Sequence, residues 1–241
     1  MTRARFGPVF SIVSDPEWQA LLEEFFEETS VPYSHFPDEK SFLGSPGKKY
    51  SLGLVDTRLV TNAQALSGYS LVKLGTGECP ALRFQGRIDK GLEADEFTKT
   101  FMAHLPRAHD TLSVLLVDDD RDFCELMKNF WESKHDPRTV VRIALNPLEA
   151  LEDLGGFRPD VVVIDLKMPV LGGTEFYKKF RKKDREAAVL ILSAVTDSEE
   201  TAELRGIGNP VCVEKSSGDS LPEALWWRLV KLRVFGSRDL R

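Results

Sequence analysis

Three short apolar runs in the second half of the chain each end in charged residues. They are Val114–Val117, followed by Asp118-Asp119-Asp120, Val161–Ile164, followed by Asp165, and Val211–Val213, followed by Glu214-Lys215. Short runs rich in β-branched residues are typical of strands that are buried on both faces of a parallel sheet. Because chemistry collects at the carboxyl ends of such strands, we expect these aspartates and the lysine to form one compact site. Such a site suits a divalent cation and a phosphoryl group.

The rest of the second half alternates between strand and helix patterns. The predicted strands lie at 113–118, 139–144, 161–165, 188–193 and 211–214, and the predicted helices at about 121–134, between Asn146-Pro147 and Gly155-Gly156, and at 174–183, 197–205 and 219–233. The first of these helices carries an apolar stripe of Phe123, Leu126, Met127, Phe130 and Trp131. Five alternations of strand and helix predict an α/β fold with a doubly wound, five-stranded parallel sheet.

The first half repeats this plan more weakly. Its predicted strands lie at 9–13, 50–55, 69–74 and 81–84, and its predicted helices carry Trp18, Leu21, Leu22, Phe25 and Phe26 and, near 93–105, Phe97, Phe101 and Leu105. A pattern that is repeated along one chain indicates a repeated structural unit. We interpret the chain as a duplicated domain, with a first domain at 1–106, a linker at 107–112 and a second domain at 113–241. An unrelated N-terminal domain is the alternative.

Residues 113–235 resemble the response-regulator receiver domain of two-component signalling, which has a flavodoxin-like fold. The resemblance rests on Asp118-Asp119, Asp165, the Met168-Pro169 loop with Gly173, Ser193 and Lys215, in that order at the ends of successive strands. It implies that Asp165 takes a phosphoryl group from a phosphohistidine, since a carboxylate can act as a nucleophile. It also implies that Ser193 and Lys215 contact the phosphoryl oxygens, where a cation neutralises charge.

The same resemblance implies a Mg²⁺ site. Its direct ligands would be Asp119, Asp165 and the backbone carbonyl of Lys167, while Asp118 would act mainly through water. Three features depart from the family pattern. Ser216 stands where a proline usually follows the lysine, Cys212 replaces an aromatic residue in the fifth strand, and the side chain of Lys167 lies two residues after the nucleophile.

The first half is predicted to be a degenerate pseudo-receiver. Asp56 takes the nucleophile's place, Asp15 takes the acidic position, and Ser14 replaces the first acid. No Met-Pro loop follows Asp56, and the end of the predicted fifth strand, at 84–86, offers no lysine. With one carboxylate fewer and no cation, magnesium and phosphoryl binding are both expected to weaken.

These residues predict a response regulator that accepts a phosphoryl group from a histidine kinase or a histidine phosphotransfer protein. Only ten residues follow Lys231, so we expect no DNA-binding output domain and signalling by contact with a downstream protein. We expect no enzyme activity beyond the protein's own phosphoryl transfer. The alternatives are a phosphorylation-independent scaffold and a phosphatase with an Asp-x-Asp motif at 118–120. The phosphatase is disfavoured because Asp122 stands where such motifs usually have Thr or Val.

Composition narrows the range of partners and locations. A net charge of −6 argues against nucleic-acid binding, which normally needs a basic patch, and the basic residues between Lys178 and Arg185 are interpreted as a solvated helix end. No apolar stretch approaches the ~20 residues needed to span a membrane, and no signal peptide is present, so we expect a cytoplasmic location with reduced cysteines. Trp226 and Trp227 in the last helix predict a homodimer or an inter-domain contact.

Overall fold

The computed structural model describes residues 7–45, 49–105, 111–135, 137–154, 156–194, 199–215 and 220–237. The chain divides into two compact units, Ala4–Pro106 and Arg107–Arg241. The domain bounds predicted from the sequence, 1–106 and 113–241, stay a prediction. Most of the predicted linker at 107–112 lies outside the described residues.

The first unit alternates strands and helices along the chain. Its elements are β1 (Val9–Ile12), α1 (Pro16–Glu27), β2 (Tyr33–Phe36), α2 (Glu39–Leu43), β3 (Leu52–Asp56), a 3₁₀ turn at Thr57–Leu59, α3 (Ala63–Leu66), β4 (Ser70–Leu74), β5 (Gly86–Ile88) and α4 (Ala94–His104). Asp15 begins α1 by accepting a hydrogen bond from the backbone N–H of Glu17 at 3.0 Å, and Pro16 occupies the first helical position. The apolar face of α1 buries Trp18, Leu22, Phe25 and Phe26 against the sheet.

The second unit follows the same plan with longer elements. They are β6 (Leu112–Val117), α5 (Arg121–Glu132), β7 (Thr139–Ala144), α6 (Pro147–Asp153), β8 (Val161–Asp165), α7 (Gly173–Lys183), β9 (Ala188–Ser193), α8 (Glu199–Ile207), β10 (Val211–Glu214) and α9 (Leu221–Phe235). Every residue of β8 and β9 is buried, as the continuous apolar runs predict.

Both sheets are parallel throughout and have the same strand order. The first sheet runs β2-β1-β3-β4-β5 and the second runs β7-β6-β8-β9-β10. In each unit the order reverses between the first and third strands, which makes a crevice at their carboxyl ends. The predicted fold, two doubly wound five-stranded parallel sheets in tandem, is therefore confirmed.

Two strands of the first unit differ from the prediction. β2 was not predicted because its four residues are all partly exposed at the edge of the sheet and show no apolar run. The fifth strand was predicted at 81–84, but β5 lies at Gly86–Ile88 and pairs with Val72–Leu74. Leu82 and Phe84 are apolar because they pack on the core from a loop, not because they form a strand.

The stripe predicted on α5 is displaced by one residue. The helix buries Cys124, Met127 and Trp131, whereas the side chain of Leu126 is 57% exposed. Phe123 is partly buried at the amino end of the helix, beside the carboxyl ends of the strands. The apolar residues of α5 therefore lie on more than one face of the helix, and only one face packs against the core.

The last helix packs on α5 and β7 of the same unit. The indole N–H of Trp131 donates to the carbonyl of Pro222 at 2.9 Å, and that of Trp226 donates to the hydroxyl of Thr139 at 3.1 Å. Trp226 is buried, while its neighbour Trp227 is partly exposed. None of the helices in the described ranges has the length and apolar character needed to cross a bilayer.

One edge of the second sheet is partly covered by a side chain. β7 lies at this edge, and the backbone N–H of Val141 donates to the Glu132 carboxylate at 2.9 Å. A charged group that occupies an edge donor discourages pairing with another chain.

Gly173 connects α7 to the strand that carries Asp165. A Cβ atom at this position would lie 2.4 Å from the carbonyl oxygen of Asp165 and 2.8 Å from the Cα atom of Leu166. We expect Gly173→Ala to lower the free energy of unfolding by about 1–3 kcal/mol, because backbone atoms must shift. Gly206→Ala is the matched control, since nothing lies within 4 Å of its Cβ in α8, and it should be neutral or stabilising. Urea unfolding measures both, and equal effects would contradict the packing argument.

Candidate functional site

The two central strands of the second sheet bring two buried aspartates together. Val117 at the end of β6 pairs with Ile164, so Asp118 lies level with Asp165, the last residue of β8. Asp118 is 1% exposed and Asp165 is 6% exposed. Both carboxylates lie at the crevice where the strand order reverses.

Lys215 bridges the two carboxylates. It follows the last residue of β10, and its Nζ atom lies 2.7 Å from Asp118 Oδ2 and 2.6 Å from Asp165 Oδ1. The backbone N–H of Lys215 donates to the carbonyl of Ser193 at 2.8 Å, which fixes the end of β10 against β9. The structure thus brings together the three residues that the sequence placed at strand ends.

Asp119 completes a set of oxygen donors. Asp118, Asp119 and Asp165 each offer one carboxylate oxygen, and these oxygens lie within 4.8 Å of one another. Asp119 is exposed, so its carboxylate faces solvent beside the two buried ones. Three carboxylates and one ammonium leave two negative charges, and hard oxygen donors of this kind fit a magnesium ion.

Backbone hydrogen bonds orient the carboxylates. Asp118 Oδ1 accepts from the N–H of Asp120 at 3.0 Å, and Asp165 Oδ2 accepts from the N–H of Lys167 at 2.9 Å. Asp120 itself caps α5 by accepting from the N–H of Phe123 at 3.0 Å. Because the Asp120 carboxylate is engaged in capping the helix, an Asp-x-Asp phosphatase motif at 118–120 gains no support.

Burial and the ion pair act in opposite directions on this site. Burial raises the pKa of Asp118 and outweighs its hydrogen bond to Lys215, so its carboxyl holds a proton more readily than usual. Burial also lowers the pKa of Lys215, but hydrogen bonds to Asp118 and Asp165 outweigh it and the net pKa is raised. Lys215 therefore stays protonated between two carboxylates that lie close to each other.

The remaining predicted site residues lie close by. Ser193 is the last residue of β9 and is 2% exposed, while Lys167 is exposed in the loop after Asp165. Cys212 is a partly buried residue of β10 that packs against the core. Ser216 lies outside the described residues.

The loop after Asp165 contains a residue in an unfavourable backbone conformation. Val170 has φ = 73° and is 80% exposed. A β-branched residue in the left-handed region costs on the order of 1–3 kcal/mol, and such residues cluster at functional sites. The loop is closed by the N–H of Gly173, which donates to the carbonyl of Leu166 at 2.9 Å.

Phe123 is a site residue that the sequence analysis missed. Lys215 Nζ lies 4.8 Å from the centre of its ring. From its spacing, Phe123 was expected in the core stripe of α5. Its position three residues after the helix-capping aspartate was the signal that could have placed it at the site.

The equivalent crevice of the first unit lacks both acids of the Asp118-Asp119 pair. Ile12 pairs with Val55, so Val13 lies level with Asp56. The N–H of Val13 donates to the carbonyl of Phe36 at the end of β2, as the N–H of Asp118 donates to that of Ala144 at the end of β7. Val13 and Ser14 therefore stand where the second unit has Asp118 and Asp119.

This register corrects the position expected for Asp15. We expected it at the acidic position, but it caps α1 and so corresponds to Asp120, which caps α5. We also expected no lysine after the fifth strand. Because β5 ends at Ile88, Lys90 lies two residues beyond it, and its ammonium pairs with Asp15 rather than with Asp56.

Asp56 is covered by a neighbouring guanidinium. Both of its oxygens accept from Arg58, with Oδ1 at 2.9 Å from Nε and Oδ2 at 2.6 Å from Nη2. Burial raises the pKa of Asp56, but the hydrogen bonds from Arg58 outweigh it and the net pKa is lowered. Asp56 is 1% exposed, so the carboxylate reaches solvent mainly past Arg58.

Comparison with known proteins identifies the second unit. The family described as the response regulator receiver domain matches residues 114–225. The chain is 34% identical over 109 residues to a protein-glutamate methylesterase/protein-glutamine glutaminase of Geobacillus kaustophilus, covering 45% of this chain and 31% of that protein. It is 32% identical over 95 residues to the Regulator of RpoS of Escherichia coli, covering 39% of this chain and 27% of that protein. The chain thus covers less than a third of the length of either relative.

Solved structures of receiver domains are also similar. The receiver domain of a Francisella response regulator is 29% identical with a TM-score of 0.42, covering 50% of this chain and 95% of that domain. The response regulator domain of Thermotoga maritima CheB is 27% identical with a TM-score of 0.42, covering 51% of this chain and 97% of that domain.

The lysine bridge predicts a stability effect that depends on charge. We expect Lys215→Ala to cost roughly 2 kcal/mol in a metal-free buffer, less than the roughly 3–5 kcal/mol of a fully buried pair, because it leaves two carboxylates uncompensated. Adding Asp118→Asn should return part of that loss.

Urea unfolding in the presence of a chelator measures these effects. Lys178→Ala, which removes an exposed pair with Glu203, is the control and should cost less than about 1 kcal/mol. A Lys215 variant as stable as the Lys178 variant would contradict the bridging role.

Proposed function

We propose that this protein, whose residues 114–225 form a response regulator receiver domain of two-component signalling, accepts a phosphoryl group on Asp165. The donor is the phosphohistidine of a histidine kinase or a histidine phosphotransfer protein. The observation that carries the proposal is the Lys215 ammonium held between Asp118 and Asp165, with the Asp119 carboxylate beside them.

The proposed reaction is a direct phosphoryl transfer. A carboxylate oxygen of Asp165 forms a bond to phosphorus as the phosphorus–nitrogen bond to the donor histidine breaks, and the electron pair of that bond stays on the imidazole. Lys215 neutralises charge on the phosphoryl oxygens. Ser193 donates its hydroxyl to one of these oxygens, and Lys167 lies close enough along the chain to influence an incoming water.

Mg²⁺ is part of this proposal. Asp119, Asp165 and the backbone carbonyl of Lys167 would hold the ion directly, and Asp118 would act mainly through water. When bound, the ion supplies positive charge beside the phosphoryl oxygens. The fit rests on the three convergent carboxylates and their uncompensated charge.

The first unit is proposed to be a pseudo-receiver that takes no phosphoryl group. Its crevice has Val13 and Ser14 where two acids stand in the second unit, and Arg58 engages both oxygens of Asp56. A nucleophile whose lone pairs already accept hydrogen bonds from a guanidinium is poorly placed to attack phosphorus. Asp56 is therefore expected to remain unmodified.

We further propose that the signal passes on by protein–protein contact with a downstream protein. The same proposal includes a cytoplasmic location for this contact. A homodimer through the last helix stays a prediction, for which the partly exposed Trp227 is the candidate contact.

A phosphorylation-independent scaffold is the second candidate function. The Asp56–Arg58 pair favours it, because this half of the protein has a fixed charge state. Magnesium with beryllofluoride separates the two functions. A regulator should show a magnesium-dependent change in tryptophan fluorescence, whereas a scaffold should show none.

The first functional prediction assigns the phosphoacceptor. Phosphotransfer from candidate kinases, read by intact mass, should add one phosphoryl group to the wild type and to Asp56→Ala, and none to Asp165→Ala. The reason is that Lys215 supports Asp165, whereas Arg58 occupies Asp56. Label that persists in Asp165→Ala and disappears in Asp56→Ala would reverse the roles of the two units.

A second functional prediction concerns the metal. Asp119→Asn should abolish magnesium-dependent phosphorylation, because it removes a charged oxygen ligand, and it should leave the unfolding midpoint nearly unchanged, because Asp119 is exposed. Asp122→Asn, an exposed acid in the first turn of α5, is the control and should keep full phosphorylation. Normal phosphorylation in Asp119→Asn would refute the ligand assignment.

A further inference from the structure

Phe123 is the aromatic neighbour of the lysine at the site. Lys215 Nζ lies 4.8 Å from the centre of the ring, within the roughly 6 Å at which a cation is attracted to an aromatic face. The ring is partly buried, so the contact is shielded from water on one side. This contact is additional to the two carboxylate contacts of Lys215 that the proposed function uses.

The surroundings of the ammonium explain what the ring contributes. Two carboxylates lie at 2.7 and 2.6 Å from Nζ, and the Lys215 side chain is 23% exposed. Under the function proposed above, both carboxylates would gain other partners when a metal ion and a phosphoryl group bind. The ring is uncharged and offers no ligand to a metal ion or a phosphoryl group, so its contact with the ammonium does not compete with either of them.

The ring is held by the same backbone that holds the acids. The N–H of Phe123 donates to Asp120, and the N–H of Asp120 donates to Asp118, each at 3.0 Å. The first turn of α5 is therefore fixed relative to the carboxylate that Lys215 contacts. A ring on that turn has a fixed position for the ammonium to lie against.

We propose that Phe123 is a positioning residue for Lys215. The ring keeps the Lys215 ammonium in place when Asp118 and Asp165 bind other groups. It therefore affects how tightly the site binds a phosphoryl-like anion. The effect on anion binding rests on the function proposed above, whereas the contact between ring and ammonium does not.

Anion binding is tested by titrating the full chain with beryllofluoride in saturating magnesium, followed by tryptophan fluorescence. Phe123→Leu keeps an apolar side chain without a ring, and its affinity should fall about twofold to fivefold, the factor that a partly exposed cation–π contact supplies. Phe123→Tyr keeps the ring and should bind like the wild type. Magnesium affinity should be the same in all three proteins, because the ring offers no ligand.

A matched control lies on the same helix. Lys134 Nζ is 4.3 Å from the centre of the Phe130 ring, away from the acidic crevice. Phe130→Leu removes a comparable contact and should leave beryllofluoride affinity unchanged. Equal losses in the Leu and Tyr variants of Phe123, or no loss in either, would overturn the proposal.

The contact itself is tested by NMR without metal or anion. A ring face shifts nearby protons upfield, so the ε-methylene protons of Lys215, assigned with Lys215→Arg, should be shifted in the wild type and in Phe123→Tyr. The shift should disappear in Phe123→Leu. An unshifted wild-type signal would overturn the proposal even if Phe123→Leu does not fold. Failure of every protein to bind beryllofluoride, with the shift present, would instead count against the proposed phosphorylation.

Discussion

The structure of the second unit depends on one electrostatic constraint, the proximity of two buried carboxylates at adjacent strand ends. Asp118 and Asp165 lie level at the ends of β6 and β8, both are buried, and burial raises the pKa of Asp118. Lys215 relieves this by contacting both, which requires β10 to end at a fixed level beside β9. The charge of the site therefore depends on the register of the sheet and on the residue at which the fifth strand ends.

The first unit meets the same constraint with different residues. Its sheet has the same order, but Val13 stands where the second unit has a buried aspartate, so Asp56 has no second buried carboxylate level with it. Arg58, two residues along from Asp56, neutralises it within the same loop. The lysine after β5 then has no second carboxylate to bridge, and it pairs with the cap of α1 instead. The two sheets therefore compensate their buried acids in different ways, by a bridge between distant strands in the second unit and by a local pair in the first.

The sequence predicted most where burial was continuous. The central strands of the second unit were placed within about one residue, because a strand buried on both faces gives an almost uninterrupted apolar run. The edge strands of the first unit escaped this signal, since β2 is partly exposed along its whole length and β5 has three residues. The acids and the lysine of the site could be assigned because they follow buried strands. Phe123 and Lys90 could not, because one shares the spacing of a core stripe and the other follows a strand too short to detect.

The Asp56–Arg58 pair has a consequence for which sequences can be reached from this one. Restoring an acid at position 13 would place a carboxylate at a site where Val13 is fully buried, beside an Asp56 whose counter-ion is already engaged. Replacing Arg58 first would leave the buried Asp56 carboxylate without its charged partner, with only the backbone N–H of residue 58 as a donor. Each single step toward the four-group arrangement of the second unit thus passes through a less stable protein. Single substitutions are therefore expected to destabilise the first unit before they give it the charged residues of the second unit's site.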